Sequence, residues 1–391
     1  MRYNFDKVID RSGTSAEKVE GLKHIWGRTD LIPLWVADMD FATAPFVTDA
    51  IRKRCENEVL GYTGKPDSYY NAIINWVKQR YDLVVAKEMI NFVPGIVSGI
   101  GMAMNCFTQK GDKVMIQPPV YHPFAWVTTR NERTLVTNPL KWENGMYRMD
   151  LDTFREQIKG CKLFILCNPH NPGGVVWTEA ELRAIADICY DEKVLVFSDE
   201  IHADLTLPPH THRPFATVSE KARMNSVTFM SPSKAFNMPG LSASHALIFN
   251  EDLRKRFRIY MDAGELDMGH VFAFLSVEAA YSHGTEWLDQ CLAYIQGNID
   301  FVDEFLKKHA PKIKAIRPEA SYLVWLDCRE LKLSQKDLNE FFVDKAHLAL
   351  NDGEMFGKEG IGFMRLNVAS PRCIIEKAMK QLADAYQLYI K

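Results

Sequence analysis

Lys234 closes the run Ser231-Pro232-Ser233-Lys234, just after the apolar stretch Ser226–Met230. A lysine set between a serine and a small residue, away from water, is a desolvated amine and therefore a nucleophile. Asp199 ends another apolar run, Val194-Leu195-Val196-Phe197, and a carboxylate there needs a cation or hydrogen bonds. The turn Pro94-Gly95-Ile96-Val97-Ser98-Gly99 leads into a helical pattern. Its backbone N–H groups and positive helix end suit a phosphate. Ser231 and Ser233 add hydroxyl donors, and Tyr121 in Pro118-Pro119-Val120-Tyr121 offers a flat face for an aromatic ring. Two more clusters, Asn168-Pro169-His170-Asn171-Pro172-Gly173-Gly174 and Ser198-Asp199-Glu200-Ile201-His202, complete the set.

These groups must be positioned by strands. Short apolar runs at Ile90–Val93, Lys113–Gln117, Thr134–Asn138, Lys162–Cys167, Val194–Ser198, Ser226–Met230 and Ala246–Phe249 read as strands covered on both faces. Helical patterns separate them, among them Thr178–Asp191, where Thr178 and Glu181 form a capping-box signal. Alternation of this kind predicts an α/β fold with a mostly parallel, seven-stranded sheet. The clusters then gather at the carboxyl ends of the strands, where open sheets bind ligands. Phosphate, amine-reactive carbonyl, ring nitrogen and aromatic plane are together the features of pyridoxal 5′-phosphate (PLP), whose mark is a Schiff-base lysine with an aspartate at the ring nitrogen.

The expected organisation is a segment 1–45 joining a small domain, a large PLP-binding domain over 46–281, and a small α+β domain over 282–391. The small domain opens on a long helix, Trp287–Lys308, followed by a strand at Ser321–Asp327. A chain of 391 residues, 47% hydrophobic and 25% charged, has an ordinary globular composition. Its net charge of −3 provides no global field for nucleic acid or an anionic membrane. Met89–Gln109 lacks charge but is too rich in Gly, Pro and Asn for a spanning helix. Eight cysteines without a C-x-x-C pair read as free, buried thiols in a reducing, cytoplasmic protein.

Taken together, Asn-Pro-x-Asn-Pro-Gly-Gly, Ser-Asp-Glu-Ile-His and Ser-Pro-Ser-Lys resemble the fold-type I, aminotransferase-like PLP enzymes. Trp35-Val36-Ala37-Asp38-Met39-Asp40-Phe41, Ser198–Asp204 and Ser231–Asn237 further resemble the MalY/PatB group of cystathionine β-lyase-like C–S lyases. The resemblance implies Lys234 as the Schiff-base and proton-shuttling lysine, Asp199 at the ring nitrogen, Asn171 at the phenolic oxygen and Tyr121 stacked on the ring. It implies Ile96, Val97, Ser231 and Ser233 as the phosphate cup. Tyr62 would reach the partner subunit's phosphate in a homodimer with shared sites. Arg365, with Asn171 and Ala37, would hold the substrate, with the guanidinium clamping its carboxylate. His202 replaces the tyrosine usual in aminotransferases, and Ser242 replaces their phosphate-binding arginine; both departures favour the lyase group.

The residues also have plainer readings. Asp199 fits a helix cap and Arg365 a surface ion pair. Tyr62 and Tyr121 fit half-buried aromatics, and His202 fits a satisfied core histidine as well as a cofactor neighbour. Asn168 reads as a turn former. His210 and His212 lie in a Pro-rich loop with no third metal ligand in view, and read as solvated. The implied activity is a β-lyase releasing a thiol, pyruvate and ammonia from L-cystathionine or a related cysteine S-conjugate. An aminotransferase of an L-amino acid is the alternative, and a PLP-holding regulatory protein a third.

Overall fold

The computed structural model describes residues 2–389. Met1, Ile390 and Lys391, the extreme ends of the segments 1–45 and 282–391, lie outside the described residues. Seven strands form the large sheet: β1 (Ile90–Val93), β2 (Lys113–Ile116), β3 (Thr134–Thr137), β4 (Cys161–Cys167), β5 (Leu195–Asp199), β6 (Ser226–Met230) and β7 (Ser244–Leu247). Their order across the sheet is β1-β7-β6-β5-β4-β2-β3. The pairs from β6 to β3 are parallel, and β7 runs antiparallel between β6 and β1. Four further strands, β8 (Lys314–Ile316), β9 (Leu323–Asp327), β10 (Asn351–Asp352) and β11 (Phe363–Asn367), form an antiparallel sheet in the order β8-β9-β11-β10.

Sequence patterning places all seven strands of the large sheet: Ile90–Val93 and Ser226–Met230 match at both ends, and the other five are off by one or two residues. The seventh covers Ser244–Leu247 rather than Ala246–Phe249, because Ser244 pairs with Val93 and Leu247 with Ile90 across the antiparallel ladder. The fifth begins at Leu195 and takes Asp199 into the ladder, opposite Cys167 on one side and Phe229 on the other. That carboxylate thus belongs to the strand rather than to the turn. A hairpin, Lys141–Glu143 with Met146–Arg148, escapes sequence reading because its strands are short, polar and half-exposed.

Among the helices, α1 (Glu17–Trp26), α2 (Ile96–Phe107), α3 (Glu179–Asp191), α4 (Thr285–His309) and α5 (Arg372–Tyr389) bear on the argument. The uncharged stretch after Met89 is β1, a turn and α2, not a membrane span. Among the described residues no helix is long and apolar enough to cross a membrane. A Cβ on Gly99 would come within 2.9 Å of the Val93 side chain and 3.1 Å of the Phe229 ring. Only glycine therefore lets the start of α2 lie this close to β1 and β6. The capping box of α3 is present, with the Glu181 N–H donating to Thr178 Oγ1 (3.2 Å) and the Thr178 N–H to Glu181 Oε2 (2.9 Å).

The chain before residue 45 packs onto the smaller sheet's neighbourhood. Ile32–Pro33 runs parallel to Leu348–Ala349. Leu22 and Leu31 cluster with Ala349, and Phe5 lies edge-on to Phe41 and Trp287. Of the eight free cysteines, five are buried, but Cys55 and Cys373 are exposed because each sits on the outer face of its helix.

Candidate active site

The carboxyl ends of β1, β2, β4, β5 and β6 open onto one cavity, which encloses about 840 Å³ of empty space including its mouth. Gly95, Ile96, Val97 and Ser98 line it where α2 begins, so the free N–H groups of that helix start face the space. Tyr121 lines it from the segment after β2, Asn171 from the turn after β4, Asp199 from β5 and Lys234 from the turn after β6. Ser233, Ser242 and Ser244 add hydroxyl groups, and Cys167 and Ile201 apolar surface. Ser231 stands one step back from the wall. Its Oγ lies 2.7 Å from Ser233 Oγ and donates to the Ala243 carbonyl at 2.7 Å, fixing the serine that faces the cavity.

Opposite the sheet lies an irregular strap, Trp35–Phe41, from which Ala37 reaches the cavity. Lys234 Nζ donates to the Ala37 carbonyl (2.5 Å), and Tyr322 Oη donates to the same oxygen (2.9 Å). Arg365, buried on β11, donates from Nη1 to Asn171 Oδ1 (3.2 Å) and from Nη2 to Asn351 Oδ1 (2.5 Å) and the Trp35 carbonyl (3.1 Å). Its guanidinium lies 4.9 Å above the centre of the Phe356 ring. The reading of Arg365 as a surface ion pair is thereby excluded: it is buried, no ion pair holds it among the described residues, and it links the strap to the Asn171 turn.

Burial sets the charges here. Desolvation pulls the Lys234 amine down to about 8; Arg365 and Lys18 act in the same direction, while Asp38 and Asp199 oppose them. Burial pushes Asp199 up to about 7, against the N–H of Ile201, which donates to Oδ1 at 3.1 Å. Such a carboxylate calls for a cation beside it. His202 is held near 3, first by burial and then by Lys234 and Arg365, so its imidazole is neutral. Arg365 comes down to about 10 through burial.

The donor set fits the cofactor expected from sequence on independent counts. A helix start and serine hydroxyls suit a phosphate, a depressed amine suits a carbonyl, and a buried carboxylate suits a protonated ring nitrogen. Tyr121 supplies an aromatic face. Of the expected residues, Ile96, Val97, Tyr121, Asn171, Asp199, His202, Ser233, Lys234 and Ala37 line the cavity together. Ser231 and Arg365 support it from behind. Tyr62 stands apart, 99% exposed in an extended segment before the helix Asp67–Tyr81.

Sequence reading missed Tyr322, Asn367 and Lys18, which act on the strap from remote positions. It also misplaced His212. That ring is buried with Nε2 2.8 Å from Glu200 Oε2, while Ser198 Oγ and the Phe215 N–H both donate to Glu200 Oε1 (2.8 Å each). The Pro-rich loop folds inward to bring His212 under the Asp199 turn.

A sheet edge carrying a phosphate cradle, an aspartate and a lysine in that chain order defines an aminotransferase-type α/β protein. Consistent with this, residues 29–382 match the family Aminotransferase class I and II, and the chain belongs to it. Among curated relatives, cystathionine beta-lyase PatB of Bacillus subtilis (strain 168) is 38% identical over 384 residues, covering 98% of this chain and 99% of that one. Cystalysin from Treponema denticola, whose crystal structure contains pyridoxal 5′-phosphate, superposes with a TM-score of 0.96 at 33% identity, covering 100% of both chains. The PLP-bound C–S lyase from Staphylococcus hominis gives 0.91 at 36% identity, covering 99% of this chain and 98% of that chain.

Proposed function

We propose that this protein is a PLP-dependent carbon–sulfur β-lyase. It cleaves L-cystathionine or a related cysteine S-conjugate, with water, to a thiol, pyruvate and ammonia. The observation that carries the reading is the meeting of Lys234 and Asp199 around one cavity, with Arg365 behind its wall on Asn171 and burial holding the lysine down near 8. The similarity to PatB and to the C–S lyase structures supports the sulfur chemistry.

When bound, PLP supplies an electron sink for the bonds at the substrate's Cα. Lys234 would hold the cofactor through its amine, and the same Nζ would serve as the general base for the proton at the substrate's Cα. Asp199 keeps the ring nitrogen protonated, which the apolar strand beneath it enforces by excluding water. Asn171 would hold the phenolic oxygen and Tyr121 would offer the ring an aromatic face, with His202 lining the same cavity as a neutral imidazole. The N–H groups at Ile96 and Val97, with Ser233 and behind it Ser231, hold the phosphate. Arg365 would bind the substrate carboxylate with Asn171 and the Ala37 peptide.

The reading includes a homodimer with two-fold symmetry. Tyr62, fully exposed between Val59 (72% exposed) and the helix Asp67–Tyr81, is free to reach a second subunit's phosphate. It also places the enzyme in the cytoplasm, supported by the free thiols. Pure protein given cystathionine and no keto-acid acceptor tests the function. Catalytic release of pyruvate is expected, and Lys234→Ala should lower it by roughly a thousandfold or more. The substrate's own oxo acid, formed once per site with its C–S bond intact and no pyruvate, would establish the aminotransferase instead.

A further inference from the structure

The strap Trp35–Phe41 has almost no regular backbone pairing, yet side chains grip nearly every one of its carbonyls. Arg365 Nη2 takes the Trp35 carbonyl (3.1 Å), and Asn367 Nδ2 takes those of Val36 and Asp38 (2.7 Å each). Tyr322 and Lys234 share the Ala37 carbonyl. Asn237 Nδ2 takes the carbonyls of Met39 (3.0 Å) and Phe41 (2.7 Å).

Beneath the strap lies a cluster of four charges. Lys18 Nζ stands 2.8 Å from Asp40 Oδ2 and 3.7 Å from Asp38 Oδ1, and donates to the Asp38 carbonyl at 3.2 Å. Arg11 closes the other side, Nη2 to Asp38 Oδ2 at 2.6 Å and Nη1 to Asp40 Oδ1 at 3.3 Å.

Lys18 occupies this place against two general preferences. Its side chain is 0% exposed, although lysines are almost never fully buried. It also sits in the first turn of α1, where the helix dipole disfavours a cation. Burying an ammonium costs several kcal/mol before its partners repay it, and an apolar side chain would anchor α1 without that cost. What an apolar residue cannot do is hold two carboxylates and a carbonyl of the strap at once.

We propose that Lys18 is a positioning residue for the reaction. With Arg11 it fixes Asp38 and Asp40, and through them it holds the Ala37 carbonyl where it meets the Lys234 amine. The proposal rests on the reading of Lys234 as the reactive amine. Lys234 is faced by Asp38 and Lys18 from the strap side, by Asp199 and His202 from β5 and the turn beyond it, and by Arg365 from β11. Tyr322 shares its acceptor. Asp38 is the charge that most favours the protonated amine, and Lys18 stands 3.7 Å from it. Removing Lys18 takes away a like charge and releases Asp38 at the same time, and both changes favour the protonated form at Lys234.

The test uses the PLP-loaded enzyme. The visible absorbance of the bound cofactor is titrated against pH, and kcat and KM are measured for wild type, Lys18→Met and Lys18→Arg. In Lys18→Met the spectral midpoint should move up by about half a unit or more, with kcat falling roughly tenfold through misplacement of the strap and KM changing less. Lys18→Arg, which keeps the charge, should restore most of the midpoint. A folded Lys18→Met with the wild-type midpoint and wild-type kcat overturns the proposal. Should Lys18→Met not fold, Arg11→Gln reads the same midpoint from a more exposed partner: an upward shift supports the proposal and an unmoved midpoint overturns it. A wild-type protein with no cofactor band at all would instead defeat the reading of Lys234 itself, a result distinct from any ranking of the variants.

Discussion

The two sides of the cavity are assembled differently. On the sheet side, each functional group follows directly on a strand: Ile96 after β1, Tyr121 after β2, Asn171 after β4, Asp199 within β5, Lys234 after β6. The hydrogen-bonded ladder brings those strand ends together, by parallel pairing from β6 to β2 and through the antiparallel β7 to β1. On the strap side nothing is paired in that way. Trp35–Phe41 is held from residues as far apart in sequence as Lys18, Asn237, Tyr322 and Asn367. The sheet side is therefore rigid by backbone geometry, and the strap side by a set of individually replaceable side-chain bonds. Damage to one sheet-side group should remove a chemical function outright, whereas damage to one strap-side group should degrade placement by degrees.

Asp199 is the sharpest test of the sheet side. Asp199→Asn keeps the shape and removes the charge, so a bound ring cation loses its buried partner at a cost of about 3–5 kcal/mol. That corresponds to a loss of several hundredfold or more in kcat, together with weaker retention of PLP on dialysis. Activity within tenfold of wild type would mean that the carboxylate has no cation to serve.

Arg365 lies between the two sides, joined to Asn171 on one and to Trp35 on the other. Arg365→Lys keeps a positive charge but cannot make both contacts together with a bidentate grip on a carboxylate. The loss of one charge-assisted bond, about 1.5–3 kcal/mol, should lower kcat/KM by tenfold to a hundredfold, mostly through KM. An effect confined to kcat would place the substrate carboxylate elsewhere.

The Lys234 amine tests the electrostatics of the sheet side. Its affinity for a proton is depressed to about 8, so the neutral, nucleophilic form gains as pH rises toward 8 and levels off above it. Recombination of the cofactor-free protein with PLP, followed by rapid mixing, should slow by about tenfold for each pH unit below that point. A rate still climbing near the ordinary lysine value of about 10.4 would show that burial does not govern this amine.

The same contrast explains what could be read before the structure. The sheet side is legible because each of its groups sits in a contiguous motif behind an apolar strand, and strand pairing within one sheet converts those separate motifs into one site. Strand ends were less legible, as with Asp199, because the last paired residue depends on the neighbours' register. The strap side was visible only as the motif Trp35–Phe41 and as Arg365. Lys18 looks in sequence like any charged residue of an amphipathic helix, and only the fold shows that its side chain points inward. Asn367 did carry a signal, since it lies two residues from Arg365 on one strand and so shares its face. His212 was misread for the opposite reason: a loop composition rich in proline gives no sign that the loop turns into the core.

Asn367 offers the finest division between the two sides. Its Nδ2 donates to two strap carbonyls at 2.7 Å each, and its Oδ1 accepts from the Ala369 N–H at 2.8 Å. Asn367→Ala strands buried backbone groups, each costing roughly 1–3 kcal/mol in a non-additive way, while leaving every sheet-side group in place. The melting temperature should fall and kcat should drop several-fold, with the cofactor spectrum unchanged. Thr178→Ala is the matched control. It removes the capping box of α3, worth about 1 kcal/mol, far from the strap, and should lower the melting temperature without touching kcat. If Asn367→Ala behaves like this control, the strap merely closes the fold. If kcat falls while the spectrum holds, the strap positions the substrate over a sheet-side site that is already complete.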